Sequence, residues 1–193
     1  MFLNQTTYAT GTSPRSVAIV DVNSDNKPDI IVSNWNSKTV GVLLNNGNGT
    51  FLTQTTYTTG TNPGSVAVVD VNSENRTDII DSNTYSNTVG VLLNTGSGTF
   101  LTQITYTTGS YPYSVAAVDV NSDNKPDVIV ANAGSNTINV LLNTGSGTFL
   151  TKTTYATATY PESVAVVDVN DDNKPDIIVA NLGSSTVSVL LHC

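Results

Sequence analysis

The chain has 193 residues, a hydrophobic content of 38% and a formal net charge of −8, so it has enough apolar material for a folded core. Only seven residues are Lys or Arg, which argues against nucleic-acid binding and against binding to anionic membranes, because both need clustered basic residues. No apolar run reaches the roughly 18 residues of a membrane span. We therefore predict a globular protein without membrane insertion.

One pattern occurs four times along the chain. A shift of 49 residues, without any insertion, aligns four phenylalanines and four aspartates: Phe2, Phe51, Phe100 and Phe149, and Asp21, Asp70, Asp119 and Asp168. The chain is thus predicted to be a single repeat domain with repeats at 1–49, 50–98, 99–147 and 148–193. A period of 40 to 50 residues with strand-like segments is typical of β-propeller blades. A β-solenoid and a string of separate hairpins are the alternatives.

Each repeat contains four predicted strands. The segment 65–71 and the segment 127–132 are rich in β-branched residues and indicate short buried strands. The segment 88–94 leads into a TGSG turn, and the segment 99–109 alternates like a half-exposed outer strand. We expect an all-β protein in which every repeat forms a four-stranded antiparallel blade.

The ends of the chain predict how the blades close into a ring. The chain opens with an outer-strand sequence at 2–10 and closes with a third-strand sequence at 186–192. The N-terminal strand 2–10 is therefore expected to complete the last blade, in the same chain or in a partner chain, so that no long sheet edge stays open. Closure in one chain gives a four-bladed monomer, and exchange between two chains gives an eight-bladed homodimer. We favour the homodimer because it needs less splay between blades.

A nine-residue loop follows the first strand of every repeat and has oxygen-bearing side chains at loop positions 1, 3, 5 and 9. A hard cation such as Ca²⁺ takes six to eight oxygens at about 2.3–2.6 Å, and alternate residues of a tight loop can direct them to one centre. The carbonyl at position 7 adds one more ligand, and Asn at position 6 tolerates the left-handed conformation that such a bend requires. The predicted metal ligands are Asp21, Asn23, Asp25, Lys27 and Asp29; Asp70, Asn72, Glu74, Arg76 and Asp78; Asp119, Asn121, Asp123, Lys125 and Asp127; and Asp168, Asn170, Asp172, Lys174 and Asp176.

The distribution of acidic residues favours a divalent cation in these loops. Of the fifteen acidic residues, all but Asp81, Glu162 and Asp171 occupy positions 1, 5 or 9 of a loop. Three carboxylates in one empty loop repel each other, and a divalent ion relieves that repulsion. We predict about one Ca²⁺ per repeat, or four per chain. The alternative is that Asp and Asn serve only as turn formers.

Other metal sites fit less well. An EF-hand needs Glu at position 12 and flanking helices, whereas position 12 lies inside predicted strands. Mg²⁺ prefers strict octahedral geometry with several waters. Zn²⁺ needs His or Cys, and only His192 and Cys193 are present.

The motif D-x-N-x-D-N-x-x-D after an apolar strand, with G-x-G-T-F after the third strand, resembles the FG-GAP or VCBS repeat of integrin-α-type β-propellers and related fungal propeller lectins. The resemblance covers all four repeats. It implies calcium in the loops named above and a propeller with those loops on one face. The second repeat departs from the pattern, with Glu74, Thr77 and Asp81 where the other repeats have Asp, Pro and Val.

The loops on the opposite face differ among the repeats. They precede the first strand and join the second strand to the third, and variable loops on a rigid scaffold commonly carry function. Aromatic rings there can cover apolar patches of a sugar or a protein. The predicted ligand-binding residues are Trp35, Tyr85, Tyr111, Tyr113 and Tyr160. The alternative is that the tyrosines only pack on neighbouring blades.

These features predict an extracellular, calcium-stabilised binding module for adhesion or lectin-like carbohydrate recognition, with a glycan or a protein as partner. The alternative is a purely structural repeat fragment of a larger propeller. We expect no enzyme, because the only histidine and the only cysteine are the last two residues of the sequence. Catalysis would then have to rest on carboxylates that are already committed to metal. Secretion would require a signal outside this sequence, since residues 1–10 do not have the composition of one.

Overall fold

The computed structural model describes residues 3–192, which are almost entirely strand and turn, with a single 3-10 turn at Leu182–Ser184. Within these residues, no helix is long and apolar enough to cross a membrane. Two predicted segments extend beyond this part, because Phe2 belongs to the strand predicted at 2–10 and Cys193 belongs to the last repeat. The all-β prediction is confirmed.

Blades 1 and 2 are four-stranded antiparallel sheets, each with a small hairpin between its third and fourth strands. Blade 1 contains β1 (Pro14–Val20), β2 (Asp29–Asn34), β3 (Thr39–Leu43), the hairpin β4 (Asn45–Gly47) and β5 (Thr50–Phe51), and the outer strand β6 (Thr55–Thr58). Blade 2 contains β7 (Pro63–Val69), β8 (Asp78–Asn83), β9 (Thr88–Leu92), the hairpin β10 (Asn94–Gly96) and β11 (Thr99–Phe100), and β12 (Ile104–Thr107).

Blade 3 has the same four main strands, with a single bridge between Asn143 and Phe149 in place of the small hairpin. Blade 4 has three strands in the described residues. Blade 3 contains β13 (Pro112–Val118), β14 (Asp127–Asn132), β15 (Thr137–Leu141) and β16 (Thr153–Ala156). Blade 4 contains β17 (Pro161–Val167), β18 (Asp176–Asn181) and β19 (Thr186–Leu190). The sheets of blades 1 to 3 each take their outer strand from the following repeat.

The segment 99–109 is not one strand, so that prediction is wrong in detail. Its first two residues close the hairpin β10–β11, and only Ile104–Thr107 pairs with β9. The hairpin forms because Gly96, Ser97 and Gly98 all adopt positive φ values, which reverse the chain tightly. The alternation of polar and apolar residues continued across this break and concealed it.

Neighbouring blades bury apolar faces against each other. The first strands β1, β7, β13 and β17 lie side by side in this order. Between blades 1 and 2, Val22, Val40 and Val42 pack with Val66 and Phe100, and all five side chains are at most 9% exposed. We call the side of a blade that meets the following blade its trailing face, and the other side its leading face.

Asparagine side chains also join the blades. The Asn94 amide group donates hydrogen bonds to the carbonyls of Thr77 in its own blade and Val22 in the preceding blade, both at 2.9 Å. Asn143 makes the same cross-blade bond to Val71 at 2.9 Å. These side chains therefore fix the spacing of neighbouring blades.

The substitution Asn94→Ala is expected to lower the free energy of unfolding by about 1–3 kcal/mol, since it leaves buried carbonyl groups without a donor. Urea denaturation would measure this loss. Asn46→Ala, at an exposed position on β4, is the control and should change stability by less than about 0.5 kcal/mol. Equal effects of the two substitutions would show that the cross-blade bond does not stabilise the fold.

The arc of four blades is open. β17 does not pack against β1 in the way that β1 packs against β7, and Val17 and Ile19 on the leading face of blade 1 are 64% and 57% exposed. Residues 3–10 form no strand and lie beside blade 1 rather than blade 4. Closure within a single chain is therefore absent from this structure, and closure by a partner chain stays a prediction.

Candidate calcium loops and aromatic face

Antiparallel pairing of the first two strands separates the two predicted sites. In blade 1, β1 ends at Val20 and β2 begins at Asp29, so the loop between them lies at one edge of the blade. The loop before Pro14 and the loop after Asn34 lie at the opposite edge. The same topology holds in all four blades. The acidic loops and the variable loops consequently lie on opposite faces of the arc.

The acidic loops share one backbone conformation. Position 6 is Asn with a φ of about 60° in every loop, as the sequence predicted. Position 4 is also left-handed, which the sequence analysis did not predict, with φ values of 61° to 62° at Ser24, Ser73, Ser122 and Asp171. Because these two left-handed positions are only one residue apart, the chain turns tightly within the loop.

In the first loop, the side-chain oxygens at positions 1, 3 and 5 accept main-chain N–H groups. Asp21 Oδ2 accepts the Asn26 N–H at 2.7 Å. The Asp25 N–H is shared between Asp21 Oδ1 at 3.3 Å and Asn23 Oδ1 at 3.1 Å, so these two oxygens lie close together. The Lys27 ammonium group pairs with Asp25 Oδ2 at 3.1 Å. The oxygens of positions 1 and 3 thus lie close together, whereas both carboxylate oxygens of position 5 bond to Lys27.

The aspartate at position 9 has a structural role that the sequence analysis missed. Asp29 is fully buried. Its Oδ2 accepts the Val22 N–H at 3.0 Å, and its Oδ1 accepts the Asn45 N–H at 2.7 Å. The same two bonds occur at Asp78, Asp127 and Asp176. Each of these side chains fastens its acidic loop to the segment that follows the third strand.

Three carboxylates of the loops, Asp25, Asp123 and Asp168, have lowered pKa values. Desolvation raises the pKa of Asp25, but the hydrogen bonds from Lys27 and Asn23 and the charge of Lys27 together outweigh it, so the pKa is lowered. Main-chain N–H groups of residues 170–173 act in the same way and lower the pKa of Asp168. These carboxylates therefore carry full negative charge at neutral pH.

Two of the buried position-9 carboxylates, Asp127 and Asp78, have a pKa shift in the opposite direction. Burial raises the pKa of Asp127, and repulsion from Asp123 and Asp119 raises it further. Burial likewise raises the pKa of Asp78, with a contribution from Asp70. Each loop has three or four acidic residues and one basic residue, so it carries a net negative charge.

These loops fit a hard cation in donor type and charge, but their side chains are not arranged as a finished metal site. The donors are carboxylate and amide oxygens, which Ca²⁺ prefers. In the described part of the chain, no group of three or more His, Cys, Asp or Glu side chains lies close enough to hold a metal ion. Instead the carboxylates accept N–H groups, so a bound ion would draw them away from these donors.

The five aromatic residues predicted on the other face do come together. Trp35 stacks on Tyr113 at 6.2 Å with an interplanar angle of 14° and meets Tyr85 edge-on at 5.7 Å. The Tyr85 ring also contacts the Tyr111 ring, with 5.6 Å between ring centres, and the Tyr113 ring contacts the Tyr160 ring at 5.8 Å. The contacts form one aromatic cluster across all four blades, in which Tyr85 and Tyr111 are 55% and 44% exposed.

Two of these tyrosines occupy strained backbone positions. Tyr111 and Tyr160 have φ values of 52° and 58°, whereas Ser13 and Asn62 take the same position in the first two repeats. A bulky residue with positive φ costs free energy, and such strain is concentrated at functional sites. Asn87 Oδ1 accepts a hydrogen bond from the Tyr111 N–H at 2.9 Å, which stabilises this conformation.

Arg15 is a further member of the cluster that the predicted ligand set does not contain. Its guanidinium carbon lies 4.2 Å from the centre of the Trp35 ring and 4.9 Å from that of Tyr113. The repeat aligns Arg15 with Gly64, Tyr113 and Glu162, and this variation was the signal available. A Cβ at position 64 would lie 3.0 Å from the Thr84 hydroxyl and 3.1 Å from the Tyr113 carbonyl oxygen, so glycine there allows blade 3 to approach blade 2 closely.

Comparison with known families identifies the repeat. The family described as FG-GAP-like repeat matches residues 21–80, 82–130 and 119–179. The chain belongs to this FG-GAP-like repeat family. A search of curated proteins found no significant match.

Solved structures similar to this FG-GAP-like repeat protein share its fold. An Agrocybe aegerita lectin that recognises non-reducing terminal N-acetylglucosamine is 22% identical, with a TM-score of 0.57 over 89% of this chain and 50% of the lectin chain. The V. cholerae biofilm matrix protein Bap1 is 17% identical, with a TM-score of 0.59 over 91% of this chain and 26% of Bap1. A streptogramin B lyase is 16% identical, with a TM-score of 0.57 over 94% of this chain and 55% of the lyase. The chain thus spans about a quarter to a half of these proteins.

Proposed function

We propose that this FG-GAP-like repeat protein is a calcium-stabilised extracellular binding module that recognises a carbohydrate through its aromatic cluster. The observation that carries the proposal is the convergence of Trp35, Tyr85, Tyr111, Tyr113 and Tyr160 on one face of the arc. The acidic loops on the other face hold Ca²⁺ in this proposal, and their role is structural. The protein is proposed to act by binding, without catalysis.

Calcium has a local physical rationale. Four loops crowd ionised and buried carboxylates, and each loop joins the first two strands of a blade, so an ion that binds only the folded loop stabilises the blade. Extracellular modules commonly bind Ca²⁺ with dissociation constants of about 10⁻⁴–10⁻³ M, which suits external calcium concentrations. The residues that would hold the ion are those at loop positions 1, 3, 5 and 7, with position 9 adjoining them.

The chemistry of the aromatic cluster suits a sugar. Exposed ring faces can cover the apolar C–H faces of a pyranose, and Arg15 can donate hydrogen bonds to hydroxyl or carboxylate oxygens. Main-chain bonds fix the loops, such as Trp35 N–H to Ser13 O at 3.0 Å and Ala133 N–H to Tyr111 O at 2.9 Å. A preformed aromatic site binds with little ordering cost.

A glycan array followed by titration calorimetry tests the proposed binding. The expected result is saturable binding to at least one glycan, weakened at least about thirtyfold by Trp35→Ala, as for a residue at the centre of a binding site. Leu182→Ala is the matched control, because Leu182 takes the position of Trp35 in the fourth repeat and is 61% exposed. Absence of saturable binding, or equal weakening by both substitutions, would contradict the proposal and favour a purely structural repeat.

A further inference from the structure

Residues 3–10 are held in the position of an outer strand, although no third strand pairs with them in the described residues. The Tyr8 ring lies 5.4 Å from the Phe51 ring at 80°, and its hydroxyl donates to the Gly49 carbonyl at 3.4 Å. The tyrosines of the outer strands β6 and β12 contact the following blade with the same geometry, at 5.2 and 5.3 Å: Tyr57 with Phe100, and Tyr106 with Phe149. Tyr8 therefore has the position of an outer-strand tyrosine from a blade that would pack on the leading face of blade 1.

Blade 4 has the complementary gap. Its last strand, β19, pairs with β18 on one side only in the described residues. Val187 and Val189 on this strand are 65% and 52% exposed, whereas Val40 and Val42, their counterparts in blade 1, are 0% and 1% exposed. The trailing face of blade 4 is thus an apolar surface that the other blades cover with a neighbour.

The leading face of blade 1 is open in the same way. Val17 is 64% exposed, and its counterpart Val66 in blade 2 is 8% exposed. Asn45 takes the place of Asn94 in blade 1 but donates only to the Pro28 carbonyl of its own blade. By the repeat alignment, its missing cross-blade acceptor is the carbonyl of Val169, a residue of blade 4.

We propose that a second copy of this chain completes the ring. Residues 6–9 of each copy add to the free edge of β19 in the other, and the trailing face of blade 4 packs on the leading face of blade 1 in the other copy. The occupant is a second copy because the two open faces are the faces that already bind each other inside the chain. Two such contacts related by a two-fold axis give a closed ring of eight blades.

The internal blades fix the register of the new strand pair. In blade 1, Val40 lies opposite Tyr57 and Val42 lies opposite Thr55. The repeat alignment places Val187 opposite Tyr8 and Val189 opposite Thr6 of the second copy. The inference rests on these contacts alone and is independent of the calcium and carbohydrate proposals.

Disulfide trapping tests the register directly. In a Cys193→Ser background, Thr6→Cys with Val189→Cys should form covalent dimers under mild oxidation, because opposed residues of antiparallel strands lie about 4.5–5.5 Å apart. Thr7→Cys with Val189→Cys is the control and should not cross-link, since a shift of one residue turns the side chain to the other face. An intrachain disulfide, no disulfide, or equal cross-linking in the control would each overturn the proposal.

Light scattering of the 193-residue chain gives the second test. The expected mass is about 40 kDa, twice the 20.2 kDa of one chain. Val187→Asp with Val189→Asp should halve this mass while leaving the circular dichroism spectrum unchanged, because both side chains are already exposed in the single chain. Leu101→Asp, at a residue of blade 2 that is 52% exposed and directly follows β11, should leave the dimer intact. A wild-type mass of 20 kDa, or a mass that keeps rising with concentration, would overturn the two-copy ring.

Discussion

Removal of calcium with EGTA is expected to lower the melting temperature of the protein by more than about 10 °C. An ion that binds only the folded state at a hundredfold excess over its dissociation constant adds about 2.7 kcal/mol per site, and 1 kcal/mol corresponds to about 2–4 °C in a chain of this size. Four acidic loops are present, so the loss extends to every blade. Differential scanning calorimetry in millimolar calcium and then in EGTA measures the shift.

A double substitution in one loop separates metal binding from loop structure. Asp119→Asn with Asp123→Asn removes two charged ligands of the third loop and should reduce the difference in melting temperature between calcium and EGTA. Asp171→Asn is the control, because Asp171 is an exposed acid at position 4 of the fourth loop and is not a predicted ligand. An unchanged melting temperature in EGTA, with metal analysis showing that the protein is emptied, would leave the loops as turns only.

Substitution of Asp81 is expected to stabilise the protein at neutral pH. Asp81 is fully buried in β8, where the other three repeats have valine. One carboxyl oxygen bonds to the Gln103 amide group, and the other has no partner. An unsatisfied buried polar group costs about 1–3 kcal/mol, so Asp81→Val should raise the free energy of unfolding by about this amount at pH 7.

The effect of Asp81 should depend on pH in a defined direction. Burial raises the pKa of Asp81 well above its ordinary value. Because the folded-state pKa is the higher one, the stability linked to this group is present below the unfolded pKa of about 4 and is lost as pH rises through the folded pKa. The advantage of Asp81→Val should therefore be larger at pH 7 than at pH 4.

Asp81→Asn supplies the matched control, because it keeps the size of the side chain and removes the titrating proton. Urea denaturation of the wild type and of both variants at several pH values measures the dependence. A stability difference between wild type and Asp81→Asn that stays constant between pH 4 and pH 7 would contradict the assignment of a raised pKa. Loss of stability in Asp81→Val at pH 7 would show that the bond to Gln103 outweighs the cost of burial.

The sequence was sufficient for features that depend on local pattern. The 49-residue period and the β-branched runs predicted the blades, and Asn at position 6 predicted a left-handed residue that is found at Asn26 and its counterparts. The variable loops all lie at one edge of the blades, so the aromatic residues named from the sequence do lie together, while their role in ligand binding stays a prediction. Each of these features follows from residues close together in the chain or from the repeat itself.

Contacts between segments that are distant in the chain could not be predicted from the sequence. The bond from Asn94 to the Val22 carbonyl joins residues of different blades, and no local pattern indicates it. The position-9 aspartates were assigned to metal alone because their spacing matched the other acids, while their bonds to Val22 and Asn45 in blade 1 depend on how the hairpin folds back. The contact of Arg15 with Trp35 and Tyr113 joins side chains of blades 1 and 3, and no local pattern indicates it either.

The number of calcium ions that one chain binds shows whether the acidic loops are metal sites. Equilibrium dialysis in millimolar free calcium, followed by elemental analysis, should give about four ions per wild-type chain, one for each oxygen-rich loop. The variant with Asp119→Asn and Asp123→Asn should bind about three. Binding of less than about one ion per chain would contradict the assignment of the acidic loops as calcium sites.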